Sequence, residues 1–265
     1  MNKKLTAELI KLAHDLADVA REKILEYFRN SKLDTENKDQ EGFDPVTIAD
    51  RAAEAAMRTL IESRRPGDSI IGEEYGEKKG SSGLTWVLDP IDGTRGYISG
   101  TPTWGTLISL NESGRSIFGI IDQPYIGERF TGGVGHASFK GPLGKRFLKT
   151  SQIKVLSEAI IFSTDPYSGS EVEIKGFNDI SNMCRLTRFG MDCYAYGLLA
   201  LGHIDLVVEV GLKPYDIQSP IAVVKAAGGY VTDWRGGHAE EGGRVLASST
   251  HELHLSALNV LKYIN

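Results

Sequence analysis

A mixed fold of the α+β to α/β type is predicted by three patterns in the 265 residues. Apolar residues recur at helical spacing through the first thirty positions. Short apolar runs, punctuated by glycine and polar residues, follow through the first half. After about residue 151 such runs alternate with helical stretches. With 41% hydrophobic and 25% charged residues, the chain has the balance of a folded globular protein rather than a disordered one.

Leu5, Leu9, Leu12, Leu16, Val19, Ile24 and Tyr27 place one apolar stripe along a first helix. The polar stretch from Asn30 to Gly42 reads as an excursion. Asp44-Pro45 opens a second helix, with Ile48, Ala52, Ala55, Ala56 and Leu60 on its inner side, and the turn Arg65-Pro66-Gly67-Asp68 stops it. Strands are expected over 69–71, 85–88, 106–110 and 116–121, so this half reads as two helices against a mostly antiparallel sheet. Further on, strands at 159–162, 186–189 and 204–208 alternate with helices at 194–201 and 217–227, as in an α/β layer. The glycine-rich stretch 132–144 is the expected seam between an N-terminal α+β half, residues 1–147, and a C-terminal α/β half, residues 148–265.

The formal net charge of −5 gives no general attraction to nucleic acid or anionic lipid, and neither partner is expected. No run approaches the roughly 20 apolar residues of a membrane-spanning helix. Lys3 and Lys4 lead into an acid-studded amphipathic segment and not into an apolar signal core. The two cysteines, Cys184 and Cys193, make no CxxC motif, so reduced thiols in a cytoplasm are expected instead of zinc or a disulfide framework.

The segment Trp86-Val87-Leu88-Asp89-Pro90-Ile91-Asp92-Gly93-Thr94 carries the most chemistry. An apolar strand ends at one acid, proline removes a backbone donor, and a second acid follows before Gly-Thr. Carboxylates at i and i+3 across a rigid turn can converge on one hard cation, with the Ile91 carbonyl as a third oxygen, while Gly93 and Thr94 offer backbone donors to a phosphate. A solvated Asp-Gly turn accounts for the same residues. Ile70-Ile71-Gly72-Glu73-Glu74 repeats the pattern, although paired glutamates are commonly a solvated loop. Asp216, after Lys213-Pro214-Tyr215, reads as a ligand or as a helix cap. Asp50 reads as a ligand or as a surface acid near a helix dipole. Together these acids form an all-oxygen set that suits Mg2+ rather than zinc.

Gly72-Glu73-Glu74, Asp89-Pro90-Ile91-Asp92-Gly93-Thr94 and Tyr215-Asp216 followed by Ala226-Ala227-Gly228-Gly229 resemble the inositol monophosphatase superfamily of Mg2+-dependent, lithium-sensitive phosphatases. The order and separations agree over essentially the whole chain. The resemblance implies a layered αβαβα sandwich, usually a homodimer, with Mg2+ held by Glu73, Asp89, the Ile91 carbonyl, Asp92 and Asp216. Asp50 matches the family acid beside the most weakly held metal. The N-terminal half then binds metal and phosphate, and the C-terminal half completes the site. Water attacks a phosphate monoester in line, oriented and deprotonated by Glu73 with help from the Thr94 hydroxyl, while the Gly93 and Thr94 amides bind phosphoryl oxygens.

Inositol phosphatases usually continue Asp-Gly-Thr with Thr-Asn-Phe and carry Trp before the last metal acid, where this chain has Arg95-Gly96-Tyr97 and Tyr215. The segments from Tyr97 to Pro102, Gly105 to Ile108, Asp192 to Tyr196 and Gly211 to Asp216 look like the histidinol-phosphate phosphatase branch of histidine biosynthesis. Asp192 and Glu209 would face the alcohol portion of the substrate, and two acids suit a cationic alcohol. Arg188 is taken as a substrate-side residue, or as the cation that neutralises either acid within the fold or across a dimer. Trp104 reads as core or as a wall for an imidazole. Inositol 1-phosphate or another sugar phosphate is the alternative substrate, and a binding module that docks on nucleic-acid machinery is the second alternative.

Overall fold

The computed structural model describes residues 2–30, 35–37 and 45–264. The chain begins with α1 (Lys3–Tyr27), a short pair β1 (Thr35–Asn37) and β2 (Pro45–Thr47), and α2 (Ile48–Arg64). Then come β3 (Ser69–Gly72), β4 (Gly76–Lys78), β5 (Leu84–Asp92), α3 (Thr94–Ser99), β6 (Gly105–Glu112), β7 (Arg115–Gln123), β8 (Glu128–Gly133), β9 (His136–Gly141) and β10 (Gly144–Phe147). The remainder is β11 (Ile160–Ser163), α4 (Glu171–Ser181), β12 (Leu186–Phe189), α5 (Tyr194–Ala200), β13 (Leu206–Leu212), α6 (Pro214–Ala226), β14 (Tyr230–Asp233), β15 (Gly243–Ser248) and α7 (His251–Leu261).

Eight strands form one sheet in the order β10-β9-β8-β7-β6-β5-β3-β4, antiparallel throughout except where β3 runs parallel to β5. Five form a second, mixed sheet in the order β12-β11-β13-β15-β14. Alternation along the central strands decides which layer each side chain joins. Ile108, Phe118 and Ile120 pack under α1 and α2, whereas Leu107 and Ile121 face α5 and α6. The second sheet receives α5 and α6 on one face and α4 and α7 on the other. The result is the layered αβαβα sandwich that the resemblance implies.

Two expectations change in the structure. Asp44 lies outside the described residues, and α2 is capped by Thr47, whose Oγ1 accepts from the Ala49 and Asp50 N–H groups. Its buried face is Ala49, Ala53, Met57 and Ile61 together with Asp50 and Glu54, while Ile48 is exposed. A reading from apolar residues alone rotates the stripe, because two of the inward positions are carboxylates. Residues 132–144 are also no seam, since they end β8, form β9 and begin β10, all three strands of the first sheet. Gly119 and Gly132 stand opposite each other, and Cβ atoms there would lie 2.5 Å from Ser219 O and 2.4 Å from the Val223 Cα. Glycine at this pair lets α6 lie directly on the sheet.

Candidate active site

The register of β5 against β6 slips between Asp89, opposite Leu107, and Asp92, opposite Gly105. One extra residue on β5 makes a bulge, and Pro90 can sit there because it has no N–H to donate. The strand therefore runs past Asp89 to Asp92, further than the apolar run predicts, and the bulge re-aims Asp92. Asp216 enters from the first turn of α6, where Pro214 opens the helix and one Asp216 oxygen accepts from the Lys213 N–H at 2.7 Å. Asp216 is thus both a cap and a cluster member. One carboxylate oxygen from each of Asp89, Asp92 and Asp216 lies within 4.8 Å of the others.

Burial pushes the Asp89 and Asp92 carboxyls well above the usual range, and like charges add to it: Glu73, Asp92, Asp216 and Asp50 around Asp89, Asp216 and Asp192 around Asp92. Burial likewise pushes Asp50 and Asp216 up to about 7. Asp50 is no surface acid: it is 1% exposed, and its Oδ2 accepts from the Thr47 N–H at 2.8 Å and the Thr47 hydroxyl at 2.6 Å. Glu73 follows the end of β3, half-buried, with its N–H donating to Leu88 O on β5.

Gly93 turns the chain from β5 into α3 at φ +85°, a region that disfavours side chains. A Cβ there would lie 2.8 Å from the Asp192 Cγ, so this glycine also admits Asp192 to the site. The Thr94 hydroxyl donates to Ile91 O at 3.0 Å, leaving its lone pairs to accept a hydrogen bond from another group. N–H groups of the first helical turn have no acceptor within the helix.

Beside the acids lies a cavity of ≈ 130 Å³ that reaches from Asp92 and Asp216 to Asp165 and Ser168. Asp192 and Glu209 both line it. Asp192 sits at φ +44°, a conformation Asp tolerates, and its carboxylate makes no hydrogen bond to a described residue, although its backbone carbonyl accepts from the Ala195 N–H at 3.1 Å. Burial and the Glu209 charge push its carboxyl up to about 7, opposed by Arg95. Glu209 is satisfied: Thr164 donates from N–H at 3.2 Å and from its hydroxyl at 2.5 Å, and the Tyr196 hydroxyl donates at 2.7 Å. Burial still raises its carboxyl.

A sequence model of the inositol monophosphatase family matches residues 5–262. The chain belongs to this family. It is 40% identical over 259 residues to the chloroplastic bifunctional phosphatase IMPL2 of Arabidopsis thaliana, covering 94% of this chain and 73% of that protein. A histidinol-phosphatase of Streptomyces coelicolor is 34% identical over 260 residues, covering 94% and 96%. The solved structure of an inositol monophosphatase from Zymomonas mobilis is 40% identical and superposes with a TM-score of 0.84 over 97% of this chain and 98% of that one. The protein is therefore a phosphoric monoester hydrolase of the inositol monophosphatase family.

Members of this family are metal-dependent, and the acids here fit a divalent cation on two counts. The donors are all oxygen and converge, and Asp89 Oδ1 is buried with no hydrogen-bond partner among the described residues, an orphan that a cation would satisfy. Arg188 does not join them. It stands exposed on the edge strand β12, lines no part of the cavity, and is not among the partners of Glu209. Trp104 is core, fully buried against Phe28 and Tyr97. The cation felt by Asp192 is instead Arg95, which also approaches Asp165 at 3.9 Å. Sequence gives Thr164, Asp165 and Ser168 no role and Tyr196 only a place in the Asp192-to-Tyr196 segment, since only the folded chain brings β11, α5 and β13 together. Among the described residues no helix is long and apolar enough to cross a membrane.

Proposed function

We propose that this phosphatase hydrolyses histidinol phosphate and that it holds Mg2+ through Glu73, Asp89, the Ile91 carbonyl, Asp92 and Asp216. The observation that carries the substrate is Asp192, a desolvated cavity carboxylate without a hydrogen bond to any described residue. Histidinol brings an ammonium and a titratable imidazole on the alcohol side of the ester, and a charge-assisted hydrogen bond compensates such a carboxylate. The histidinol-phosphatase of Streptomyces coelicolor supports the same substrate.

A bound Mg2+ supplies positive charge to the phosphoryl oxygens and to the departing alkoxide. The chain's own residues do the rest. Gly93 and Thr94 present backbone N–H groups to the phosphoryl oxygens. Glu73 takes the proton of the attacking water, and Thr94 Oγ1, its own proton committed to Ile91 O, accepts a hydrogen bond that orients that water. Asp50 lies beside Glu73 and Glu74 at the start of α2. Asp192 and Glu209 line the cavity that receives the alcohol.

Phosphate release from histidinol phosphate and from inositol 1-phosphate, compared as kcat/KM, tests the reading. A preference for histidinol phosphate is expected, and a preference for inositol 1-phosphate overturns it. One observation favours that second substrate: Glu209 is already hydrogen-bonded by Thr164 and Tyr196, so a neutral polyol leaves only Asp192 uncompensated. The inositol monophosphatase of Zymomonas mobilis supports the same alternative.

A further inference from the structure

Glu54 lies one turn after Asp50 on α2, fully buried, and is not one of the three converging acids. Its carboxylate accepts from the Glu74 N–H at 2.7 Å and from the Tyr75 N–H at 3.2 Å, and Arg58 Nε donates to it at 2.7 Å. Glu73 N–H donates to Leu88 O at 3.3 Å. The backbone is therefore tied to β5, next to Asp89, just before the Glu73 side chain and to α2 just after it. Gly72 makes the room, since a Cβ there would lie 2.0 Å from Glu54 Oε1. A carboxylate taken wholly out of water persists only where its charge is matched, and here one guanidinium and two peptide dipoles match it. Packing of α2 does not call for a charge at this position, because Ala53, Met57 and Ile61 fill the same face without one.

We infer that Glu54 is a positioning residue for hydrolysis: by clamping the Glu74 and Tyr75 N–H groups it holds the Glu73 carboxylate beside Asp89. The inference rests on the reading of Glu73 as the group that takes the proton from water. Glu73 is also the neighbouring charge that acts most strongly on Asp89, so a shift of its loop changes the field at the acid cluster. A misplacement of about 1 Å at such a group can cost about a hundredfold in rate.

Glu54→Gln, Gly72→Ala, Glu73→Gln and the Glu54→Gln/Glu73→Gln double variant test it, assayed with the ester preferred by the wild type. Glu54→Gln should lower kcat by about tenfold to a hundredfold and leave KM within about threefold, since the substrate contacts lie on other elements. The double variant should be no slower than Glu73→Gln alone, because residues that act through one group are not additive. In the metal-free protein, the Glu74 and Tyr75 amides should exchange hydrogen faster in Glu54→Gln than in wild type. Gly72→Ala displaces the same carboxylate from the other side while Arg58 still pairs with it, and carries the test if Glu54→Gln does not fold. A purely structural Glu54 would lower the thermal midpoint while leaving kcat per folded molecule unchanged, and that result overturns the inference. So do losses that add to that of Glu73→Gln. Near wild-type kcat in Glu73→Gln would overturn the assignment of Glu73 and with it the role of Glu54, whereas an inactive Glu73→Gln beside a fully active Glu54→Gln overturns Glu54 alone.

Discussion

Asp192→Asn separates substrate recognition from general damage at the site. Asparagine keeps the shape of the side chain and tolerates the backbone at φ +44°, where alanine would add strain. Only the charge is lost. The Asp192 carboxylate lies in the cavity, faces Glu209 and Arg95, and makes no hydrogen bond to a described residue, so its charge is free to be matched by a ligand. A hydrogen bond to a charged group contributes about 1.5 to 3 kcal/mol, which corresponds to about tenfold to a hundredfold in kcat/KM. That loss should appear for histidinol phosphate, whose ammonium or imidazolium makes the contact, and not for inositol 1-phosphate. Contacts to phosphate and metal are common to both esters, so their ratio cancels any disturbance transmitted through Gly93. Steady-state kcat/KM for both esters in wild type and variant is the assay. Equal losses on the two esters would refute the reasoning and make Asp192 a structural residue behind Gly93.

Asp92→Asn should lower phosphatase activity more than tenfold at saturating Mg2+ without unfolding the protein, because an amide lacks the charge that a hard cation requires; circular dichroism and phosphate release check both parts. Chelation should abolish turnover, and Mg2+ should restore it and raise the thermal midpoint by matching the charge of Asp89, Asp92 and Asp216; full activity in chelator would end the metal reading. His254, 3% exposed and bonded to Ser248 and Thr232, is held neutral by burial with its pKa lowered to about 4. The unfolded chain then binds the extra proton at this residue between about pH 6.5 and 4, so the contribution of His254 to stability is full above 6.5 and falls by about 3 kcal/mol as the pH drops through that window. Urea unfolding at pH 7 and 4.5 isolates this contribution as a difference: going to pH 4.5, His254→Gln should gain most of that amount relative to wild type, while the buried carboxyls, raised in the folded state, act in the opposite direction in both proteins alike.

The first layers of the fold are legible because their signals are local. The 3.6-residue apolar spacing of α1 and the short apolar runs of β6 and β7 depend on neighbours in sequence, and each predicts its element. β10 carries no such signal, since all four of its residues are exposed. The phase of α2 fails for a related reason. Asp50 and Glu54 occupy buried positions that a hydrophobicity reading reserves for apolar residues, and what compensates them lies at Thr47, at Arg58 and in the backbone of residues 74 and 75. Local rules fail where function places polar groups inside.

The acids themselves are legible for the opposite reason, because Gly72-Glu73, Asp89-Pro90-Ile91-Asp92-Gly93 and Tyr215-Asp216 each end a strand or open a helix within a few residues. Specificity is less so. Sequence presents Asp192 and Glu209 as equivalent acids awaiting a cationic alcohol, with Arg188 as the rival partner. The fold breaks that equivalence: Thr164, from 45 positions away, and Tyr196, from 13, satisfy Glu209 before any substrate arrives. Arg188 is exposed on the edge strand β12, and Arg95, three residues after Asp92, supplies the nearby positive charge. A group already hydrogen-bonded discriminates weakly between esters, because replacing one good partner by another changes little. A desolvated carboxylate lacking such bonds discriminates strongly, so the proposed preference for a cationic over a neutral alcohol rests on Asp192 and not on Glu209.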